Sequence, residues 1–186
     1  MVVPRHKPKS EVNHILIAYG GTDPSNLTEK AILALQEIGF DGRITIILGP
    51  GNSNYTQITR RAKNLQCRVD LLKDVSNMAT LMKEADLALT SAGRTVTELM
   101  TLGVPTITMC QNNKEMRHNH ASSTFGVVNL GLGKSISLEV LAEHINLFIN
   151  DLSLREDMYS RMINAVKNRS NNTIVSKILN AYKNKL

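Results

Sequence analysis

The sequence predicts an α/β domain built on a doubly wound, Rossmann-like parallel sheet of about six strands. Three observations predict it. Short apolar runs recur along the chain, each fit for a strand covered on both faces. Segments with apolar residues at helical spacing lie between those runs. Glycine-rich or hydroxyl-rich turns follow several of the runs, where an open parallel sheet places its ligand crevice. A chain of 186 residues fits one domain, here 14–186, and can bury roughly 70% of its unfolded surface without disulfides or metal.

Residues 1–13 hold two prolines and no apolar period. Pro4-Arg5-His6-Lys7-Pro8 reads as a linker, the remnant of an interdomain connection in a longer protein. Ile15 to Tyr19 is the first strand. Gly20-Gly21-Thr22-Asp23-Pro24-Ser25-Asn26 follows, and its two glycines permit a tight turn and close approach by a ligand. Asp23 or Asn26 can cap the next helix, and Pro24 suits its first turn. Leu27, Ala31, Leu35 and Ile38 form the stripe of that helix, which Gly39 ends. Counted from Gly20, the dinucleotide pattern GxGxxG would need glycine at Thr22 and Ser25, so a nicotinamide or flavin site is disfavoured.

Ile44 to Leu48 is the second strand, closed by Gly49-Pro50-Gly51, and Tyr55 to Leu65 a helix. Val69 to Leu72 is the third strand. Asp74-Val75-Ser76-Asn77 leads to a helix from Met78 to Ala85. Asp86 to Leu89 is the fourth strand and Thr106 to Met109 the fifth. Val127 to Leu130 makes a short sixth. Gly131-Leu132-Gly133-Lys134-Ser135 lacks the glycine a P-loop needs at Val128. Helices are expected over Leu138 to Asn150, Ser153 to Lys167 and Asn172 to Lys185.

The chain is organised around Thr90-Ser91-Ala92-Gly93-Arg94-Thr95-Val96-Thr97-Glu98-Leu99. A small hydroxyl-rich loop joins the fourth strand to a short helix stopped by Gly103 and Pro105. Free N–H groups at a helix N-terminus suit a phosphate. Glu98, one turn in, suits a pair of ribose hydroxyls. Thr95-x-x-Glu98 equally fits a capping box, in which Glu98 folds back on its own helix. After the fifth strand, Gln111-Asn112-Asn113-Lys114-Glu115 brings amides and charges to the same crevice, where they can bind sugar hydroxyls. Lys114 and His118 read as solvated loop. His118 and His120 are two apart and share no helix face, so they read as neither a metal pair nor a catalytic pair.

Net charge is +6, with Arg5, Lys7, Lys9, Lys167, Arg169, Lys177, Lys183 and Lys185 near the ends. Seven aromatic residues without basic interleaving offer no stacking platform for nucleic acid. A solvated basic surface with weak attraction for a nucleotide diphosphate fits better. Cys67 and Cys110 read as buried reduced thiols, from which a cytoplasmic setting follows. No CxxC or HxxxH spacing suggests zinc, and no cofactor is implied. No stretch approaches the ~20 apolar residues of a membrane span.

These segments resemble the C-terminal nucleotide-binding domain of GT-B glycosyltransferases. The likeness is to the UDP-sugar hydrolase of pseudaminic acid synthesis with its spore-coat polysaccharide relatives, and to the peptidoglycan N-acetylglucosaminyltransferase. It runs over most of Ile15 to Gly133. It rests on Tyr19 to Thr28, on Ala85 to Gly93, on Thr95-Val96-Thr97-Glu98-Leu99 and on Leu102-Gly103-Val104-Pro105. The resemblance implies that Gly20, Gly21, Thr22, Ser91, Gly93, Arg94 and Thr95 meet a diphosphate. It implies that Glu98 holds the ribose and that Val75 and Met78 rest against uracil. Gln111, Asn112 and Glu115 would read the sugar. Where the hydrolases carry Asn-Gln and the transferases Gln-Gln, this chain has Asn112-Asn113 and Met116-Arg117.

In these families the catalytic histidine comes from an N-terminal domain across the cleft. Nothing here matches that half, and no catalytic residue is assignable. The expectation is a UDP-sugar-binding half, inactive by itself, of a hydrolase or transferase in bacterial surface-glycan or nonulosonic acid synthesis. A GT-B N-terminal domain would be its partner. The rival reading is a non-catalytic nucleotide-binding or scaffolding module.

Overall fold

The computed structural model describes residues 7–171, with side chains to 167. The helix expected from Asn172 onward lies outside them, as do Arg5, Lys177, Lys183, Lys185 and the side chain of Arg169. The strands are β1 (His14–Ala18), β2 (Arg43–Leu48), β3 (Val69–Lys73), β4 (Leu87–Thr90), β5 (Thr106–Cys110) and β6 (Val127–Leu132). The helices are α1 (Leu27–Glu37), α2 (Tyr55–Ala62), α3 (Met78–Glu84), α4 (Arg94–Leu102), α5 (Leu138–Asn150) and α6 (Leu152–Asn171). All strand pairs are parallel, in the order β3-β2-β1-β4-β5-β6. The expected doubly wound sheet of six strands is therefore the observed one.

Alternation along the strands builds two apolar layers. Ile15, Ile17, Leu87 and Leu89 pack with Leu27, Ala31 and Leu35 of α1 and with Leu141 and Ile145 of α5. Leu16, Ala18 and Ala88 face the other way, onto Met82 of α3 and Leu99 and Leu102 of α4. Strand order reverses between β1 and β4, the place where such sheets open a crevice. Their register aligns Ala18 with Thr90, so the two following loops leave the sheet side by side. The Thr90 hydroxyl donates to the carbonyl of Ala18 at 2.6 Å and pins the two strand ends together.

The segment expected as linker is bound to the domain from Lys9 onward. Asp86 accepts hydrogen bonds from the N–H groups of Asn13 and His14, each at 3.0 Å. Val12 joins the core. Arg155 is 1% exposed, and its guanidinium is a four-way clasp. Nη1 donates to the carbonyls of Phe148 and Ile149 at the end of α5, at 2.5 and 2.9 Å. Nη2 donates to those of Lys9 and Ser10, at 3.0 and 2.8 Å. Replacing Arg155 with Met keeps the stem but strands buried carbonyls. We expect a loss of about 2–4 kcal/mol in urea unfolding, since an orphaned buried acceptor costs roughly 1–3 kcal/mol and only the Phe148 contact is fully buried, the other three being part-buried.

His14 is buried at the start of β1. Its Nδ1 donates to the Glu84 carbonyl at 3.0 Å, and its Nε2 accepts from the Thr45 hydroxyl at 2.8 Å. Burial pushes its pKa below the ordinary 6.5, against the raising effect of the Glu84 bond. The unfolded chain therefore takes up a proton that the folded state refuses. Stability should fall as pH drops from ~7.5 through the unfolded value, then level off below the folded one. His14→Gln should flatten that part of a stability-against-pH curve and leave the steeper carboxylate-driven loss in acid.

Candidate functional site

The loops after β1, β4 and β5 meet over the switch point and enclose a cleft of about 610 Å³. Gly20, Gly21 and Thr22 line one wall, Ser91, Gly93, Arg94, Thr95 and Glu98 the second, and Gln111, Asn112 and Glu115 the third. Every residue expected at the diphosphate, ribose and sugar thus lines one cavity. Val75 and Met78 line a smaller pocket of about 190 Å³ beside it, which shares Gly20 and Thr95 with the first. Both pack on the second apolar layer, so this pocket has a greasy floor. Ile47, Leu48 and Pro50 complete it.

Two helices aim their N-termini at the cleft, and the structure treats them differently. At α1 the buried Asp23 carboxylate accepts from the N–H groups of Leu27 and Thr28, both at 2.9 Å. Its Oδ1 also accepts from Nε2 of Gln111 at 2.7 Å. The positive end of α1 is therefore already neutralised by the chain. Asn26, the alternative cap, holds the N-cap position in a left-handed conformation with φ 51° and no side-chain cap bond. Pro24 precedes the helix instead of entering its first turn.

At α4 the N-cap is Gly93, with no side-chain cap. The capping box read at Thr95 and Glu98 is not formed, because the helix starts one residue before Thr95. Glu98 is exposed and lines the cleft. Among the described residues, no protein acceptor meets the N–H groups of Gly93, Arg94 or Thr95. Arg94 lines the same cleft. An uncapped helix end beside a guanidinium is chemistry for an anion.

Gln111 is placed in the cleft wall, but its amide is occupied. Its Nε2 donates to Asp23 and to the Tyr19 carbonyl, and its Oε1 accepts from the Ser25 N–H at 3.2 Å. It braces the loop after β1 against the end of β5. Asn112 Oδ1 accepts from the N–H groups of Lys114 and Glu115, at 3.0 and 3.1 Å. Glu115 Oε2 accepts from the Gln111 N–H at 2.8 Å. Among the described residues, the Asn112 Nδ2 and the Glu115 Oε1 are side-chain polar atoms of this wall that no protein group engages.

Tyr19, not singled out in the sequence, and Asp23, expected only as a helix cap, also line the cleft. Burial first, and then the Asp23 charge, push the Tyr19 pKa far upward, so its phenol stays neutral. Gly20 has φ +86°, a conformation that side chains resist. Gly49 is fixed by contact, since a Cβ there would lie 2.3 Å from Gly21 Cα.

His118 was expected in solvated loop. Instead its Nδ1 donates to the Ala92 carbonyl at 2.7 Å, and the Nε2 of His120 donates to that of Gly93 at 3.3 Å. The two rings stack with centroids 5.1 Å apart. The segment is a 3-10 turn (Glu115–Arg117) and then irregular, so helix-face spacing did not apply. Among the described residues no cluster of histidine, cysteine or carboxylate groups could hold a metal, and no helix is long and apolar enough to cross a membrane.

The model of the glycosyltransferase family 28 C-terminal domain matches residues 14–184. The chain belongs to that family. The spore coat polysaccharide biosynthesis protein SpsG of Bacillus subtilis is 26% identical over 81% of the chain, which spans 45% of that protein. An uncharacterised protein of Methanocaldococcus jannaschii is 38% identical over 55% of the chain and 22% of its own length. The N-acetylglucosamine transferase of Carboxydothermus hydrogenoformans, named for UDP-N-acetylglucosamine, is 30% identical over 50% of the chain and 26% of its own length.

Among solved structures, Acinetobacter baumannii MurG superposes with a TM-score of 0.69 at 20% identity, over 83% of this chain and 46% of that one. S. aureus TarM, in complex with UDP, also scores 0.69, at 16% identity over 96% of this chain and 37% of that one. These likenesses show the GT-B fold. The chain spans less than half the length of each protein named here.

Asp23→Ala removes the α1 cap and leaves the buried Gln111 amide short of an acceptor. Chemical denaturation should show a loss of about 2–3 kcal/mol.

Proposed function

We propose that this chain is the donor-binding half of a UDP-sugar hydrolase or glycosyltransferase of bacterial surface-glycan synthesis. The observation that carries the reading is the uncapped N-terminus of α4. It opens on a cleft that also holds Arg94 and, one turn along the helix, Glu98. The diphosphate would lie on the N–H groups of Gly93, Arg94 and Thr95 and beside Ser91, facing Gly20, Gly21 and Thr22. Glu98 would accept from two ribose hydroxyls. The base would enter the neighbouring pocket, against Val75 and Met78. Asn112 and Glu115 would meet the sugar, with Gln111 bracing that wall.

In such an arrangement the helix end and Arg94 stabilise the charge that develops on the diphosphate as the sugar–phosphate bond breaks. Preorganised donors in that position lower the barrier without moving a proton. Glu98 orients the donor and takes no part in proton transfer. Among the described residues, none in the cleft is placed as a general base. The two nearby histidines hydrogen-bond the loop backbone outside the cleft lining. A second domain across the cleft would supply that group, which fits a chain spanning under half of its relatives. The likeness of the loop after β1 to the pseudaminic acid pathway hydrolase favours hydrolysis, and the free thiols of Cys67 and Cys110 fit a cytoplasmic setting. The alternative, a non-catalytic module, predicts that the full-length protein binds but never consumes a UDP-sugar.

Calorimetry with UDP, CMP, GDP and UDP-N-acetylglucosamine on the wild type and Glu98→Ala tests the site. Uridine-selective binding is expected, weakened in the variant by about 1.5–3 kcal/mol, the range for hydrogen bonds to a charged group. Equal UDP affinity in both proteins would remove Glu98 from the site.

A further inference from the structure

We propose that His118 and His120 are positioning residues: together they clamp the loop after β4 from outside the cleft and aim its N–H groups at the diphosphate. The inference rests on the phosphate-site reading above and assigns a role to two residues that line neither pocket. In a trans peptide the C=O and the next N–H point in opposite directions, and every peptide bond described here is trans. The Ala92 carbonyl accepts from His118. The Gly93 N–H, in the same peptide unit, is thereby turned away from His118. The Gly93 carbonyl accepts from His120, which turns the Arg94 N–H the same way. Both Gly93 and Arg94 line the cleft, and neither N–H has a protein acceptor among the described residues.

The clamp is preorganised in its own right. The rings stack at 5.1 Å with their planes 25° apart, so each limits the rotation of the other. Both are half-buried. Without the two donors, Gly93, which has no side chain to restrain its backbone, can rotate its peptide and carry the N–H off the phosphate. A carbonyl is only an acceptor, so the clamp requires a hydrogen on Nδ1 of His118 and on Nε2 of His120.

The test uses the full chain with UDP, inorganic pyrophosphate and uridine as probes, in the wild type, the His118→Ala/His120→Ala double variant and His118→Asn. Long-range ¹⁵N–¹H spectra of the histidines and melting curves accompany the titrations. The double variant should lose about thirtyfold in affinity for UDP and pyrophosphate, as two hydrogen bonds of net ~1 kcal/mol each would predict. Uridine affinity should hold. His118→Asn, whose amide can still donate to Ala92, should keep most of the UDP affinity. An unchanged UDP affinity in the double variant would overturn the clamp, and so would equal losses for UDP and uridine. A wild type that binds neither UDP nor pyrophosphate would overturn the donor-site reading instead. The spectra then judge the clamp alone: Nδ1–H on His118 with Nε2–H on His120 supports it, and any other tautomer pair overturns it.

Discussion

The carboxylate of Asp23 is buried at 1% exposure and meets three donors: the N–H groups of Leu27 and Thr28 and the amide of Gln111. A charge withdrawn from water costs several kcal/mol unless other dipoles replace the lost hydration. Asp23 can therefore stay buried only while helix α1, its own loop and the end of β5 hold their places. The dependence runs the other way as well. Gln111 reaches Ser25 and Tyr19 because Asp23 fixes its amide, and those bonds set the wall of the cleft. A single carboxylate thus couples three segments that are distant in sequence.

That arrangement divides the labour between two helix ends. The N-terminus of α1 is satisfied from within and serves the fold. The N-terminus of α4 is left with free donors and lies beside Arg94. The contrast arises from short sequence differences. A carboxylate precedes α1 by four residues, with a turn that lets it reach back. Before α4 the chain offers only Ser91, Ala92 and Gly93, none of which caps it. The fold can afford this exposed end because Leu99, Leu102, Val96 and Met100 anchor α4 to both apolar layers.

Much of this was legible in the residues. Apolar runs marked the central strands most clearly, because strands covered on both faces leave little room for polar residues, while the half-buried edge strands β3 and β6 carry Asp70 and Asn129. Glycine turns and the Glu98 carboxylate marked the crevice. What stayed hidden depended on contacts between distant segments. Thr95-x-x-Glu98 reads locally as a cap, and only the position of Gly93 decides otherwise. Gln111 reads as a free amide until Ser25, Tyr19 and Asp23 close on it. His118 and His120 look unrelated at a spacing of two, because an irregular backbone, not a helix, brings them together. Nothing in the sequence sets Arg155 apart, yet its guanidinium is held by four carbonyls.

The contact at Gly49 bears on how such a chain can change over generations. A crowded side chain is often relieved by a smaller neighbour elsewhere, so most tight positions have a second-site remedy. Here the atoms that a Cβ would strike are the Cα and carbonyl of Gly21 and the carbonyl of Gly20. Those belong to main chain and cannot be trimmed by any substitution. Drift can alter the apolar layers piecewise, but the loops after β1 and β2 can change only as a pair, through a new path for one of them. The crevice floor is thus held by a constraint that compensation at a single other site does not lift.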